Sequence, residues 1–204
     1  MVSKKTTLLV ALLGVALLGD HAVAGPKCCG TCGGGDKPAE PAALTRTAPF
    51  NVLDVTGPAA GQQLCYICRY GGRPSLVVFT RTTEGHFPEV AAAVDKLVQA
   101  HKDARLTGFV VLLGENTKAN RERLAGLAKE HGLTVPLTIA ADGPAGPKAY
   151  NLAARKFDTL VLTTHRNRVR STHAVSPKCT TCPATRANTI AEINTAGKDL
   201  IDNI

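Results

Sequence analysis

Two hydrophobic periods alternate along most of this chain. Continuous apolar runs of five or six residues predict strands, and apolar residues spaced three and four apart predict helices. Residues 51–56 (Asn-Val-Leu-Asp-Val-Thr) predict a short strand closed by Gly57-Pro58, and residues 63–68 a second extended piece ended by Gly71-Gly72-Arg73-Pro74. Residues 75–80 (Ser-Leu-Val-Val-Phe-Thr) carry the mark of a strand buried on both faces. Phe87, Val90, Ala91, Val94, Leu97 and Val98 recur at helical spacing and predict an amphipathic helix to about Asp103. Residues 109–113 read as another buried strand. Asn116-Thr117 can cap a helix to His131, with Leu124, Leu127 and Ala128 inward and Gly132 as its stop. A strand over 134–140 carries Pro136, and a short helix over 148–154 leads to a strand over 158–163. His165-Arg166-Asn167 turns the chain into a hairpin partner over 169–175. Thr189-Ile190-Ala191-Glu192 has capping-box spacing, and Ile190, Ile193, Leu200, Ile201 and Ile204 supply the apolar face of a closing helix.

The first 49 residues follow neither period. Residues 1–24 combine Lys4 and Lys5, an apolar run over 8–18, and the small-residue site Ala22-Val23-Ala24. That is the pattern of a secretory signal peptide, short for a permanent span, and it predicts a mature chain from Gly25 in a secreted or periplasmic setting. Residues 25–49, rich in Gly, Pro and Ala, bury too little apolar surface to offset ordering entropy and read as a tether. One folded domain over 50–204 remains, with no later stretch long enough for a membrane span. The chain is 44% hydrophobic, enough for a real core, but only 4% aromatic with no Trp, which argues against a ring-built surface for sugars or bases. The formal charge of +8 permits contact with anionic surfaces. Arg166, Arg168 and Arg170, with Arg155 and Lys156, form a basic stretch whose ordinary reading is a solvated hairpin edge that discourages strand pairing. No nucleic-acid partner is expected.

Cysteine spacing carries the candidate chemistry. Three Cys-x-x-Cys pairs follow the leader, Cys29/Cys32, Cys65/Cys68 and Cys179/Cys182, with Cys28 as the odd seventh thiol. Export puts them where disulfides persist or redox pairs are kept poised. Cys65 and Cys68 are the best redox pair inside the folded body. Residues three apart on a regular strand point to opposite faces about 10 Å apart, beyond the ~7 Å reach of a disulfide, so a local bond requires a turn there. Arg69 and Arg73 would favour a thiolate. The alternative is a pair of strand cysteines that are inert or bridged elsewhere. Cys179 and Cys182 read as a second redox pair, a loop-tightening disulfide or, with Cys28, Cys29 and Cys32 and a nitrogen from His165 or His173, half of a thiolate metal site. No Cys pair is followed by His, so haem attachment is not indicated, and no cofactor is called for. His86, His101 and His131 have no partner at a recognisable spacing and take no role.

Strand and helix alternation closing in a hairpin and a last helix resembles the thioredoxin superfamily, in its secreted redoxin or peroxiredoxin-like branch. An entry hairpin over 50–68 opens onto Leu76-Val77-Val78-Phe79, and Ala149-Tyr150-Asn151-Leu152 precedes Thr159-Leu160-Val161-Leu162 and Arg168-Val169-Arg170. The resemblance covers about residues 50–204 and implies a three-layer α/β sandwich with a mixed central sheet and an N-terminal entry hairpin. In that superfamily the attacking cysteine follows the first central strand and heads the next helix. Here that stretch is Thr80-Arg81-Thr82-Thr83-Glu84-Gly85, without a cysteine. Any redox site is therefore displaced. The leading expectation is thiol–disulfide exchange through Cys65 and Cys68 with protein thiols or disulfides of an exported partner. The rivals are a binding or scaffold domain with structural cysteines, and a thiolate metal carrier.

Overall fold

The computed structural model describes residues 44–175 and 183–203. The leader, Cys28, Cys29 and Cys32, and the Cys179/Cys182 pair lie outside them. Among the described residues, no helix is long and apolar enough to cross a membrane.

Seven strands form one mixed sheet: β1 (Val52–Asp54), β2 (Gln63–Leu64), β3 (Ser75–Thr80), β4 (Thr107–Leu112), β5 (Leu137–Ala140), β6 (Thr159–His165) and β7 (Arg168–Val175), in the order β2-β1-β5-β4-β3-β6-β7. β3, β4 and β5 run parallel, while β6 is antiparallel to β3 and β7 to β6. β1 and β2 form the antiparallel entry hairpin, and β1 joins the sheet through β5. Among the described residues the α-helices are α1 (Tyr66–Tyr70), α2 (Phe87–Ala100), α3 (Lys118–His131) and α4 (Pro183–Asp202).

Strand alternation sorts the core into two layers. Leu76, Val78, Val110, Leu112 and Val161 face a layer completed by Phe87, Val90 and Val94 of α2, Leu124 of α3, and Ile193 and Leu200 of α4. Val77, Phe79, Phe109, Val111, Leu160 and Leu162 face the other layer, covered by Phe50, by Tyr66 and Ile67 of α1, and by Tyr150, Leu152 and Phe157. This is the three-layer sandwich expected from the resemblance.

Several boundaries differ from the sequence reading, each for a local reason. The extended piece predicted over 63–68 ends at Leu64, and the chain then turns into α1. Tyr66 and Tyr70, four apart, meet with tilted rings at 5.3 Å and both pack on Phe109, as successive turns of a helix allow. The strand over 134–140 starts three residues late, because the buried Asp95 carboxylate accepts the N–H groups of Thr134 and Val135, both at 2.8 Å. The helix over 148–154 is two 3₁₀ turns, Lys148–Tyr150 and Leu152–Ala154, parted by Asn151 at φ 46°. The closing helix begins at Pro183 rather than near the Thr189 capping box, consistent with proline's tolerance in a first helical turn. Thr117, by contrast, caps α3 through Asn120 N–H, and Gly132 ends it in the left-handed conformation, as the sequence predicts. Arg166 and Asn167 both take positive φ, the geometry of a two-residue hairpin turn between β6 and β7.

Candidate functional site: the Cys65–Cys68 turn

Cys65 and Cys68 are joined by a disulfide, with Cα atoms 5.2 Å apart. The turn that such a bond demands is present. Cys65 is the extended residue that caps α1, and its sulfur accepts the Cys68 N–H at 3.0 Å. The two cysteines differ in surroundings: Cys68 is exposed, whereas Cys65 is half-buried and packs against the apolar layer under α1.

Two tyrosines pin the turn to the sheet. Tyr66 is 1% exposed and donates its hydroxyl to Asp54 Oδ2 at 2.7 Å; Asp54 is itself fully buried. The same carboxylate accepts the N–H of Gly57 at 2.7 Å and of Ala59 at 2.8 Å, so one buried anion ties the entry hairpin to α1. Burial, then the hydrogen bond to Asp54, pushes the Tyr66 hydroxyl pKa far above its usual range, so it stays a donor. Tyr70 donates to the Gly108 carbonyl at 3.2 Å, and burial pushes it up to about 12. Gly57 is required by space: a Cβ there would lie 2.5 Å from Tyr66 Oη and 2.6 Å from Asp54 Oδ2. Gly71 ends α1 at φ 62°, a conformation that costs glycine little.

The stretch to which the resemblance gives an attacking cysteine runs from the end of β3 into α2. After β3, Thr80 turns its hydroxyl onto the Thr82 carbonyl at 2.5 Å. Arg81 reaches across to the Leu152 carbonyl at 2.7 Å and lies over the Phe157 ring at 4.7 Å. α2, which follows, packs on the face opposite α1, so the disulfide sits on a different helix from the one this stretch leads into.

Beside Cys68 opens a groove of about 480 Å³, walled by Ile67 and Gly71 of the turn, by Arg46, Thr47 and Pro49, and by Asn167 of the β6–β7 turn. Of these wall residues the sequence marked only Gly71 and Asn167, both as turn residues. Asp54 was visible only as a lone charge in an apolar run, three residues before Gly57. His165 and His173, considered above as nitrogen donors, sit instead along a second groove of about 730 Å³ between β6, β7 and α4. There His173 pairs with Ser171 Oγ at 3.1 Å and with Glu192 at 3.6 Å. Among the described residues no group of three or more His, Cys, Asp and Glu side chains is gathered as a metal site would need.

No protein-family model matches the chain. No curated protein matches it significantly in sequence. Solved structures do resemble it. A thiol:disulfide interchange protein of the thioredoxin family from Chlorobium tepidum superposes with a TM-score of 0.56 at 12% identity, covering 79% of this chain and 99% of its own. A disulfide oxidoreductase secreted by Mycobacterium tuberculosis gives 0.51 at 12% identity, covering 74% and 95%. The Xanthomonas campestris bacterioferritin comigratory protein, described for alkyl peroxide reduction, gives 0.54 at 10% identity, covering 74% and 92%. Sheet order, layering and these superpositions agree: the fold of this chain is that of the thioredoxin superfamily.

Proposed function

We propose that this protein is an exported thiol–disulfide exchange protein whose working pair is Cys65 and Cys68. The observation that carries the reading is the bonded pair in a helical turn, with one sulfur exposed and the other receiving a backbone N–H. Two of the superposed proteins are named for disulfide chemistry, and one of them for secretion, which supports both parts of the reading. The leader-like residues 1–24 and the tether from Gly25 belong to the same proposal. The partner is a thiol or disulfide of another exported protein, and no cofactor enters the exchange.

The asymmetry of the turn gives the exchange a direction of attack. A partner thiolate approaches the exposed Cys68 sulfur. A new bond forms between the partner sulfur and Cys68 as the Cys65–Cys68 bond breaks, and Cys65 leaves as a thiolate that keeps the Cys68 N–H as donor. A second partner thiolate then attacks the partner sulfur of the mixed disulfide, so that Cys68 leaves and the partner ends oxidised. In the reverse direction the Cys68 thiolate attacks a partner disulfide and Cys65 resolves the mixed disulfide.

Trapping tests this order. Cys65→Ser should accumulate a mixed disulfide on Cys68 with an added protein or small thiol partner, whereas Cys68→Ser should trap little on the half-buried Cys65. Both are read by intact mass and peptide mapping. A pair that resists reduction, with neither variant trapping a partner, would leave the disulfide as a structural clip.

A further inference from the structure

Where β6 turns into β7, the basic hairpin is tied to its neighbours on two sides. Arg46 forms a β-bridge with Arg168, Thr47 N–H reaches the Asn167 carbonyl at 3.1 Å, and Val169 N–H reaches the Thr45 carbonyl at 3.2 Å. The same turn is fastened to the chain just past α1, where Arg166 N–H reaches the Gly72 carbonyl at 2.9 Å. Both attachments lead to the groove beside Cys68, whose wall includes Arg46 and Asn167. Arg166 and Arg168 flank Asn167 in the chain, Arg69 follows Cys68, and Arg73 follows Gly72. All of these arginines are exposed.

No carboxylate among the described residues pairs with them. The ion pairs lie elsewhere, at Lys118–Glu122, Arg123–Glu84, His173–Glu192 and Arg186–Glu89. Asp54, on which α1 is anchored, is fully buried and already filled by Tyr66, Gly57 and Ala59. Residues opposite each other across a β-bridge project to the same side. Arg46 and Arg168 therefore set like charges against each other, which is unfavourable by itself. An anion held between them turns that repulsion into attraction.

The geometry points to an acidic polypeptide as the exchange partner: a segment whose cysteine is flanked by Asp or Glu, seated with its sulfur at Cys68 and its carboxylates on Arg46, Arg166 and Arg168. This rests on the exchange reading above and names the class of partner for that site. The arginines belong to separate pieces of chain around one groove, so carboxylates spaced along a polypeptide can meet more of them than a small anion can. The same charges steer an acidic partner to the sulfur and favour the Cys68 thiolate. The exchange is unchanged: one partner thiolate bonds to Cys68 as Cys65 leaves, and a second releases Cys68 as the partner is oxidised. The two protons given up by the partner thiols go to the two released cysteine thiolates.

The test uses the full mature chain and three short peptides, each with one cysteine, flanked by Glu, by Lys or by Ser. Opening of Cys65–Cys68 is followed by alkylation and peptide mapping. Each rate is divided by that peptide's rate with hydroxyethyl disulfide, a neutral disulfide, which removes differences in thiol pKa. At ~10 mM salt the acidic peptide should react at least ~10-fold faster than the basic one, and the ratio should collapse toward unity near ~1 M salt. Arg46→Glu/Arg168→Glu should invert the order. Equal rates at low salt, a preference that survives high salt, or an unchanged order in the variant would overturn the inference while leaving exchange at Cys65 and Cys68 intact. If neither the peptides nor dithiothreitol opens the disulfide, the exchange reading and this inference fall together.

Discussion

Three donors converge on the carboxylate of Asp54: the N–H groups of Gly57 and Ala59, and the hydroxyl of Tyr66. A fully buried anion in a strand is costly unless its lone pairs are filled, and here the loop and the helix fill them. Tyr66→Phe removes one charge-assisted bond and nothing else of the ring's packing on Phe109. The expected cost is about 2 kcal/mol, within the range for hydrogen bonds to charged groups, read as a lower urea midpoint at unchanged slope. An unchanged midpoint would mean that Asp54 needs only its two backbone donors. Gly57→Ala should be worse tolerated than its small size suggests, because the added methyl group falls on the same carboxylate and hydroxyl.

At the level of the element, α1 is a five-residue helix with a disulfide across its first turn. Isolated helices of this length do not persist, so packing by Tyr66, Ile67 and Tyr70 must hold it. A crosslink closing a loop this short is worth roughly 2 kcal/mol in the chain-entropy description. The double variant Cys65→Ser/Cys68→Ser should therefore stay folded and lose no more than about 2 kcal/mol by urea denaturation. A loss twice that size, or an unfolded product, would assign the disulfide a structural weight that its loop length does not supply. The N-terminal strap belongs to this scale too: residues 44–49 add no strand to the sheet, yet their bonds to Asn167, Val169 and Tyr150 shape the wall facing Cys68.

Across the whole molecule, the sheet is closed on one side by α1 and the strap and on the other by α2, α3 and α4. The β7 edge meets α4 over the groove that contains His165 and His173. His165 is 7% exposed, and burial, then the charges of Arg166 and Arg170, hold its pKa below the usual histidine range. A lowered folded-state pKa means that the unfolded chain binds the proton first. Stability from this group is complete above the ordinary histidine pKa of ~6.5 and falls as pH drops below it toward the lower folded value. The melting temperature should decline as pH falls through that window, and His165→Gln should flatten this part of the profile. An identical slope in the variant would assign the decline to other groups.

The order of strands and helices was legible in the sequence because buried strands and amphipathic helices have different periods, and Thr117, Gly132 and the Arg166-Asn167 turn mark their own places chemically. The spacing of Cys65 and Cys68 likewise carried its own condition, a turn, into the structure. What local pattern could not supply was the turn itself, since Tyr66 becomes helical through partners at Asp54 and Phe109, distant in sequence. The displaced α4 start and the late start of β5 have the same character. So does the asymmetry of the two cysteines: exposure belongs to the assembled surface, and only packing against the apolar layer under α1 makes Cys65 the sheltered member of the pair.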